Sequence, residues 1–223
     1  MEVGVIDVPP EGGPNYGHFR YSAPNVDFSW TLIRKNASST MVGWLAQKAK
    51  GEGGSQRLEK IREFRVDSAG AEMSPNKILI LRDPIERAVS TWLNKFASQT
   101  VRKRGHIHEE AEKITGIPAW DMGFEDFVLG YVSSGLATDV HLNSQRSHLG
   151  NISYNRVIHP TALGELMSLI LGSRQESQFF QFPKNSTSRS PKPHMPVVVV
   201  RALQEFYQDD YELLESVRVT TFA

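Results

Sequence analysis

The segment Arg34–Thr40 combines a cationic side chain with a run of small residues that can bind an anion. Lys35 supplies a mobile positive charge, and small residues allow backbone N–H groups to approach a phosphate or a sulfate where a helix begins. The hydroxyl groups of Ser38, Ser39 and Thr40 add further hydrogen-bond donors. The alternative is an ordinary Ser/Thr helix cap beside an exposed lysine, and this segment alone favours neither interpretation.

Arg82 and Ser90 form a second candidate anion site around the start of another helix. Arg82 follows a buried apolar run, and Ser90 lies on the polar side of the helix that we expect to begin at Pro84. Together the guanidinium and the hydroxyl can hold a second phosphate. The alternative is that Arg82 pairs with a neighbouring carboxylate and that Ser90 is only a small helix residue, and taken alone this alternative is favoured.

Each candidate site lies where a strand gives way to a helix. Phe28–Arg34 favours β-structure and precedes a helical pattern, whereas Lys77–Leu81 is a nearly continuous apolar run, typical of a strand buried on both faces. Asp83 is a suitable N-cap, and Pro84 suits the first helical position. Strands that alternate with helices predict an α/β fold with parallel pairing, in which ligands bind at the carboxyl ends of the strands.

The rest of the chain continues this alternation of strands and helices. We expect an irregular N-terminal segment over residues 1–24 and a single domain over residues 25–223. The predicted elements after Ser90 are a long loop over Ser98–Pro118, a helix over Phe124–Val132, a strand over Ile152–Ile158, a helix that stops at Gly172, and a last helix from Val197 to about Tyr207.

The composition excludes several classes of function. Lys plus Arg and Asp plus Glu number 25 each, so no overall positive charge draws the chain to nucleic acid or to an anionic membrane. Cysteine is absent, which excludes disulfides, thiolate metal sites and a cysteine nucleophile. The sequence contains neither a signal-peptide pattern nor a run of ~20 apolar residues that could span a bilayer. We therefore expect a soluble, cytoplasmic protein.

Taken together, the two candidate sites resemble those of sulfotransferases that use 3′-phosphoadenosine 5′-phosphosulfate (PAPS). Lys35–Thr40 is similar to the 5′-phosphosulfate loop of the carbohydrate branch of that family, the family 2-like branch that includes chondroitin and related glycan sulfotransferases. Leu81–Ser90 is similar to the 3′-phosphate segment of the same branch and is the more specific match. Further similar segments follow in order, at Phe124–Val128, at His141 with Gln145 and Leu149, at Asn185-Ser186 and at Tyr207–Leu213.

The resemblance implies a P-loop NTPase-like, three-layer domain with a central parallel sheet flanked by helices. It implies that Lys35 stabilises charge at the bridging oxygen of PAPS and that Arg82 and Ser90 bind the 3′-phosphate. The residues implied to hold the 5′-phosphosulfate together with Lys35 are Asn36, Ala37, Ser38, Ser39 and Thr40. The product would be adenosine 3′,5′-bisphosphate, and sulfuryl transfer of this kind requires no metal.

The acceptor in this interpretation is a hydroxyl group, on a glycan or another small molecule. A hydroxyl is a weak nucleophile at neutral pH, so a general base is expected, and His141 is our candidate. His106, His108 and Gln145 are further candidates for contact with the acceptor. Two positions depart from the His-Trp-x-Pro-Gln pattern of the family, because Leu142 and Ser144 stand in place of Trp and Pro.

Two other functions remain as alternatives. The first is a P-loop kinase that acts on a small molecule, but the chain contains no G-x-x-x-x-G-K-[ST] sequence. The second is a catalytically silent nucleotide-binding module that retains the fold. The presence of Lys35, Arg82 and Ser90 argues against the second alternative.

Overall fold

The computed structural model describes residues 17–49, 60–97, 104–172, 178–180 and 191–221. Its described residues fall into two units. Unit 1 comprises those within Met1–Leu81, Gln145–Asn185 and Val217–Ala223, and unit 2 comprises those within Arg82–Ser144 and Ser186–Ser216. The α-helices are α1 (Ser38–Lys48), α2 (Ser68–Glu72), α3 (Pro84–Lys95), α4 (His106–Thr115), α5 (Phe124–Asp126), α6 (Leu163–Leu171), α7 (Val197–Phe206) and α8 (Gln208–Thr221).

Unit 1 is built on a five-stranded mixed sheet with the strand order β3-β1-β2-β4-β5. Its strands are β1 (His18–Ala23), β2 (Val26–Thr31), β3 (Arg65–Val66), β4 (Lys77–Ile80) and β5 (Arg156–Ile158). The strands β2, β4 and β5 are parallel, whereas β1 is antiparallel to both β2 and β3. The chain therefore has a mixed α/β architecture, and the expectation of a parallel sheet is correct for three of the five strands.

The β1–β2 hairpin corrects the boundary expected at residue 24. Residues 18–23, assigned to an irregular segment from their composition, form β1 and pair along their whole length with β2. Asn25 makes the tight turn possible, because its φ of 68° lies in the left-handed region, which Asn tolerates better than most residues. Pairing with a neighbouring strand thus outweighs the weak local signal of this segment.

The core of unit 1 covers one face of the sheet. Phe28 and Trp30 of β2 alternate with Ser29 and Thr31, so that the two aromatic rings point to the same side. They belong to one buried cluster with apolar side chains of β4, α1 and α6. Its largest fully buried members are Trp30, Trp44, Phe28, Met41, Leu45, Ile61 and Ile78. The helices α1 and α6 are therefore held against the sheet mainly by apolar burial.

A polar network lies on the sheet residues that alternate with this core. His18 Nδ1 is 2.9 Å from the Thr31 hydroxyl, which is 2.7 Å from the Tyr154 hydroxyl. The other ring nitrogen of His18 is 3.3 Å from the hydroxyl of Ser68 in α2. Burial raises the pKa of the Tyr154 phenol. Because buried polar groups are costly when unpaired, this network orients the segment around Tyr154 against the sheet.

Unit 2 is helical and has its own apolar cluster. The cluster joins side chains of α3, α4, α5, the helical turns that follow α5, and α7. The helix after α5 changes from α to a π-helical turn at Phe127–Tyr131 and then to a 3₁₀ turn at Val132–Ser134. Phe127, Val128, Tyr131 and Val132 are all fully buried, so the changes of pitch keep successive apolar side chains facing the cluster.

The expected strand-to-helix transition at Pro84 is confirmed. Helix α3 begins at Pro84, and the Asp83 side chain accepts a hydrogen bond of 3.0 Å from the N–H of Glu86. The expected loop over residues 98–118 is wrong in part, because His106–Thr115 is helix α4. His108 explains this difference, since its Nδ1 accepts the N–H of Gly105 and closes the first turn. Helix α8 was not expected from the sequence.

Gly150 yields a prediction for the stability of unit 1. A Cβ atom at this position would overlap the Ser68 hydroxyl and the His18 ring. We therefore expect Gly150→Ala to lower the free energy of unfolding by about 1–3 kcal/mol, as overpacking does in other cores. Urea denaturation followed by circular dichroism measures the change.

Gly105→Ala is the matched control for Gly150→Ala. A Cβ atom at Gly105 meets only the His108 ring, at 3.9 Å, and the residue has a φ of −132°. Because Gly105 is the N-cap of α4, where Ala is less favourable than Gly, its loss of stability should be at most about 1 kcal/mol. Equal effects of the two substitutions would contradict the tight packing around Gly150.

Candidate active site

The loop between β2 and α1 has a strained backbone at the residues expected to bind an anion. Lys35 has a φ of 71° and Ala37 a φ of 55°, both in the left-handed region that disfavours residues with a Cβ. Ala37 is the N-cap of α1, and its side chain cannot accept a capping hydrogen bond. No side chain at the N-cap therefore accepts from the backbone N–H groups in the first turn of α1. Anion sites at helix N-termini use N–H groups of this kind.

Asn36 holds this loop against the end of the parallel strands. Its side chain is buried, and its Nδ2 donates to the carbonyl of Ile80 at 2.8 Å and to Oε1 of Gln145 at 2.5 Å. Ile80 is the last residue of β4, the parallel neighbour of β2. The loop after β2 is therefore tied both to the carboxyl end of the next strand and to the segment around Gln145.

The polar atoms of the loop fit an anionic ligand. Lys35 and Ser39 are half-buried, and Ser38 is 7% exposed. The hydroxyl of Thr40 is buried and has no hydrogen-bond partner within the described part of the chain. Such an atom is costly unless a ligand satisfies it, and a hydroxyl can donate to a phosphate or sulfate oxygen. The donor set of the loop therefore fits the phosphosulfate that the sequence suggested.

Arg82 and Ser90 lie in unit 2, directly before α3 and within it. The Arg82 side chain is 22% exposed, and its Nε lies 4.0 Å from a carboxylate oxygen of Glu86. Burial lowers the pKa of the Arg82 guanidinium and so does the charge of Arg87, whereas Glu86 raises it. A partly buried cation near a second cation is stabilised by an anion, so the environment suits a phosphate. Ser90 is 8% exposed.

His141 lies in a loop of unit 2 beside Asp139. Its Nδ1 is 2.6 Å from Oδ1 of Asp139, and its backbone N–H donates to the same oxygen at 2.9 Å. The side chains of His141 and Asp139 are 19% and 12% exposed. Burial raises the pKa of Asp139, but the hydrogen bonds and charge of His141, with a contribution from Lys95, outweigh it and hold the pKa below its ordinary value.

A buried ion pair, which the sequence pattern did not predict, anchors the same loop. Arg87 and Asp210 are both fully buried, and Arg87 Nη1 lies 3.8 Å from Asp210 Oδ2. Arg87 Nη2 donates to the carbonyl of Asn143 at 2.6 Å, and the Ser144 hydroxyl donates to Asp210 at 2.6 Å. Helical spacing predicts a polar face of α3 for Arg87. Its role as a buried partner of Asp210 becomes visible only when the burial of both side chains is known.

Two of the three candidates for acceptor contact have buried side chains. His108 is 2% exposed, and its ring nitrogens lie 2.9 Å from the Gly105 nitrogen and 2.8 Å from the Lys95 carbonyl oxygen, which gives it a structural role. Gln145 is fully buried against Asn36, so it positions the anion loop. Burial therefore gives the side chains of His108 and Gln145 structural contacts, and acceptor contact at either residue stays a prediction. His106 is exposed at the start of α4.

Within the described ranges there is no group of three or more His, Asp or Glu side chains placed to hold a metal ion. No helix in the part of the chain that the structure describes combines the length and the apolar character needed to cross a membrane.

The described residues form a mixed α/β protein with a strained turn between the parallel strand β2 and helix α1. Comparison with protein families gives the narrower assignment. The model of the sulfotransferase family, in its family 2 form, matches residues 18–215, so the chain belongs to this family. Membership supports sulfotransferase activity in general. Neither the curated proteins nor the solved structures contain a match to the chain.

The left-handed backbone of Ala37 yields a prediction for stability. Replacing Ala37 by Gly removes a conformational cost of roughly 1–2 kcal/mol. Gly adds about 0.5–1 kcal/mol of unfolded-state entropy, so we expect a net gain of about 0.5–1 kcal/mol. Urea denaturation of Ala37→Gly without ligand measures this gain.

The control for Ala37→Gly is the same substitution inside α1. Ala46 lies in the interior of the helix, where Gly costs about 1 kcal/mol relative to Ala. Ala46→Gly should therefore lower the stability, opposite in sign to Ala37→Gly. A loss of stability in both variants would mean that Ala37 is not strained.

Proposed function

We propose that the protein transfers the sulfuryl group of PAPS to an acceptor hydroxyl on a carbohydrate. The chain belongs to the sulfotransferase family, and the similarity of its two anion segments to the carbohydrate branch supports both the donor and the acceptor class. We propose a P-loop NTPase-like fold on the same basis. The order of strand, anion loop and helix over β2 and α1 supports it.

The observation that carries the proposal is the strained loop Lys35–Ala37. Backbone strain of this kind persists only where the surrounding structure holds it, and it clusters at functional sites. Here Asn36 supplies the hold through Ile80 and Gln145. The loop presents Lys35 and the start of α1 beside the buried hydroxyl of Thr40, so it can hold the two anionic groups of a phosphosulfate.

Bound PAPS supplies the sulfuryl group, and the residues of the chain bind and orient the reactants. The ammonium of Lys35 stabilises the negative charge that develops on the bridging oxygen, because a fixed cation near that oxygen favours the transition state. The N–H and O–H groups of Asn36–Thr40 orient the phosphosulfate. His141 takes the proton of the acceptor hydroxyl.

Arg82 and Ser90 would bind the 3′-phosphate, the group that distinguishes PAPS from ATP. The guanidinium of Arg82 is partly buried, and an anion in such an environment is bound more strongly than at a fully exposed cation. The pair would therefore select the donor as well as anchor it.

Thermal stabilisation by nucleotides tests this selection. Adenosine 3′,5′-bisphosphate should stabilise the protein by about 2.7 kcal/mol at a concentration of 100 times its Kd, whereas ATP and AMP at the same concentration should stabilise it much less. A larger effect of ATP would favour a kinase. The absence of any effect of adenosine 3′,5′-bisphosphate would contradict the proposed donor.

Arg82→Ala should remove the preference for adenosine 3′,5′-bisphosphate over AMP. We expect a loss of about 1.5–3 kcal/mol of binding free energy, the usual value of a hydrogen bond to a charged group. Isothermal titration calorimetry with both nucleotides measures it. Arg201→Ala is the control, since Arg201 is exposed on α7 in the same unit. If Arg82→Ala still discriminated between the two nucleotides, the 3′-phosphate would have to bind at a different site.

Lys35→Ala should reduce kcat by roughly 10²-fold or more, as the loss of a transition-state donor does. The affinity for PAPS should fall much less, because the charge on the bridging oxygen develops mainly in the transition state. Alanine keeps the Cβ atom, so the variant does not relax the left-handed backbone of Lys35. Steady-state kinetics with labelled PAPS gives kcat, and equilibrium binding gives the affinity.

Lys113→Ala is the control for Lys35→Ala, because Lys113 is an exposed lysine of α4 outside the proposed site. It should retain normal turnover. If Lys35→Ala also retained it, the assignment of Lys35 to the leaving oxygen would be wrong.

A further inference from the structure

Asp139 and His141 form a carboxylate–imidazole pair that neither the family match nor the sequence pattern assigns. Both the ring Nδ1 and the backbone N–H of His141 lie within hydrogen-bond distance of Oδ1 of Asp139, at 2.6 and 2.9 Å. A single oxygen of Asp139 therefore restrains both the ring and the backbone of His141. The imidazole is thus oriented by its own loop.

The charge of Asp139 decides which nitrogen of His141 carries the proton. The pKa of the Asp139 carboxyl is held below its ordinary value by the contacts with His141, so the group is a carboxylate at neutral pH. A carboxylate only accepts hydrogen bonds. The Nδ1 atom must therefore carry hydrogen and donate it, and the lone pair of the neutral ring lies on Nε2. This is the tautomer that a general base acting through Nε2 requires.

The loop that carries the pair is anchored on both sides within unit 2. Before Asp139, the backbone N–H and the hydroxyl of Thr138 donate to the carboxylate of Glu110 in α4, which also accepts from Tyr131. After His141, the carbonyl of Asn143 accepts from the buried guanidinium of Arg87. Such anchoring keeps a reacting group within the small tolerance that catalysis allows.

We propose that Asp139 is the positioning residue for His141, selecting the tautomer with hydrogen on Nδ1 and the lone pair on Nε2 and stabilising the imidazolium that forms during sulfuryl transfer. The inference rests on the proposed function. As the acceptor oxygen bonds to sulfur, its proton moves to Nε2 of His141 and the bond from sulfur to the bridging oxygen breaks. Adenosine 3′,5′-bisphosphate leaves with the electrons of that bond. The carboxylate of Asp139 keeps its charge throughout and never takes the proton.

The pH dependence follows from the charges near the pair. The carboxylate favours the protonated imidazole, so removing its charge makes His141 lose its proton at a lower pH. Lys95 also acts on Asp139, and the Tyr131 phenol, whose pKa burial raises, is neutral. Glu110 is ionised nearby on α4. Asp139→Asn keeps the shape of the side chain and removes only one of these charges.

Two measurements on the intact protein test the proposal. In the first, proton NMR follows the titration of His141, whose signal is assigned by its loss in His141→Ala. The midpoint should fall by about one pH unit in Asp139→Asn. It should not move in the control Asp121→Asn, in which the altered residue is exposed in the same unit. An unchanged midpoint in Asp139→Asn would contradict the proposal that the Asp139 carboxylate acts on His141.

The second measurement is a double-mutant cycle on kcat. Asp139→Asn should lower kcat about tenfold or more and shift the acidic limb of the pH profile to lower pH, while KM for PAPS stays unchanged. In a His141→Ala background the same substitution should have no further effect. Additive losses would show that Asp139 acts independently of His141, contrary to the proposal.

The two measurements separate the pair from the proposed function. The NMR titration needs no turnover, so it reports on Asp139 and His141 even if the protein transfers no sulfuryl group. A lowered midpoint in a protein without any PAPS-dependent transfer would refute the catalytic role while the contact itself stood. A misfolded variant is recognised by the loss of the other histidine titrations.

Discussion

The side-chain amide of Asn36 is the contact on which the geometry of the anion loop depends. Lys35 and Ala37, the residues on either side of Asn36, lie in the left-handed region, which costs roughly 1–2 kcal/mol each. Two hydrogen bonds contribute about 0.5–1.5 kcal/mol each, so the bonds from Asn36 to Ile80 and Gln145 offset a similar amount. Without them the loop would relax away from its left-handed conformation. The parallel pairing of β2 and β4 matters because it places the Ile80 carbonyl within reach.

In unit 2 a buried ion pair stabilises the loop that carries His141. Arg87 and Asp210 are removed from water, and such a pair stabilises little overall compared with apolar residues of the same size. Losing one partner would nevertheless leave an isolated buried charge, which costs about 3–5 kcal/mol. Each member of the pair also makes a hydrogen bond to the loop, Arg87 to the Asn143 carbonyl and Asp210 to the Ser144 hydroxyl. These bonds hold the loop on which His141 lies.

The sequence predicted those parts of the fold whose causes are local. The start of α3 depends on Asp83 and Pro84, which are adjacent, and the end of α6 depends on Gly172, whose φ is 61°. The sequence pattern did not predict features that depend on residues distant in the chain. Strand β1 forms because it pairs with β2, and Arg87 is buried because it pairs with Asp210. The small residues between β2 and α1 predicted a candidate anion site, whereas the residue types gave no indication of the left-handed backbone at Lys35 and Ala37.

The two departures from the family pattern around His141 acquire a physical meaning in this chain. Leu142 stands where the pattern has Trp, and it is 1% exposed within the apolar cluster of unit 2. Ser144 stands where the pattern has Pro, and its hydroxyl donates to Asp210. A proline ring fixes the backbone covalently, whereas here a hydrogen bond to a buried carboxylate restrains the same position. The chain thus keeps a rigid loop around His141 by a different physical means, and the departures do not by themselves argue for a lost function.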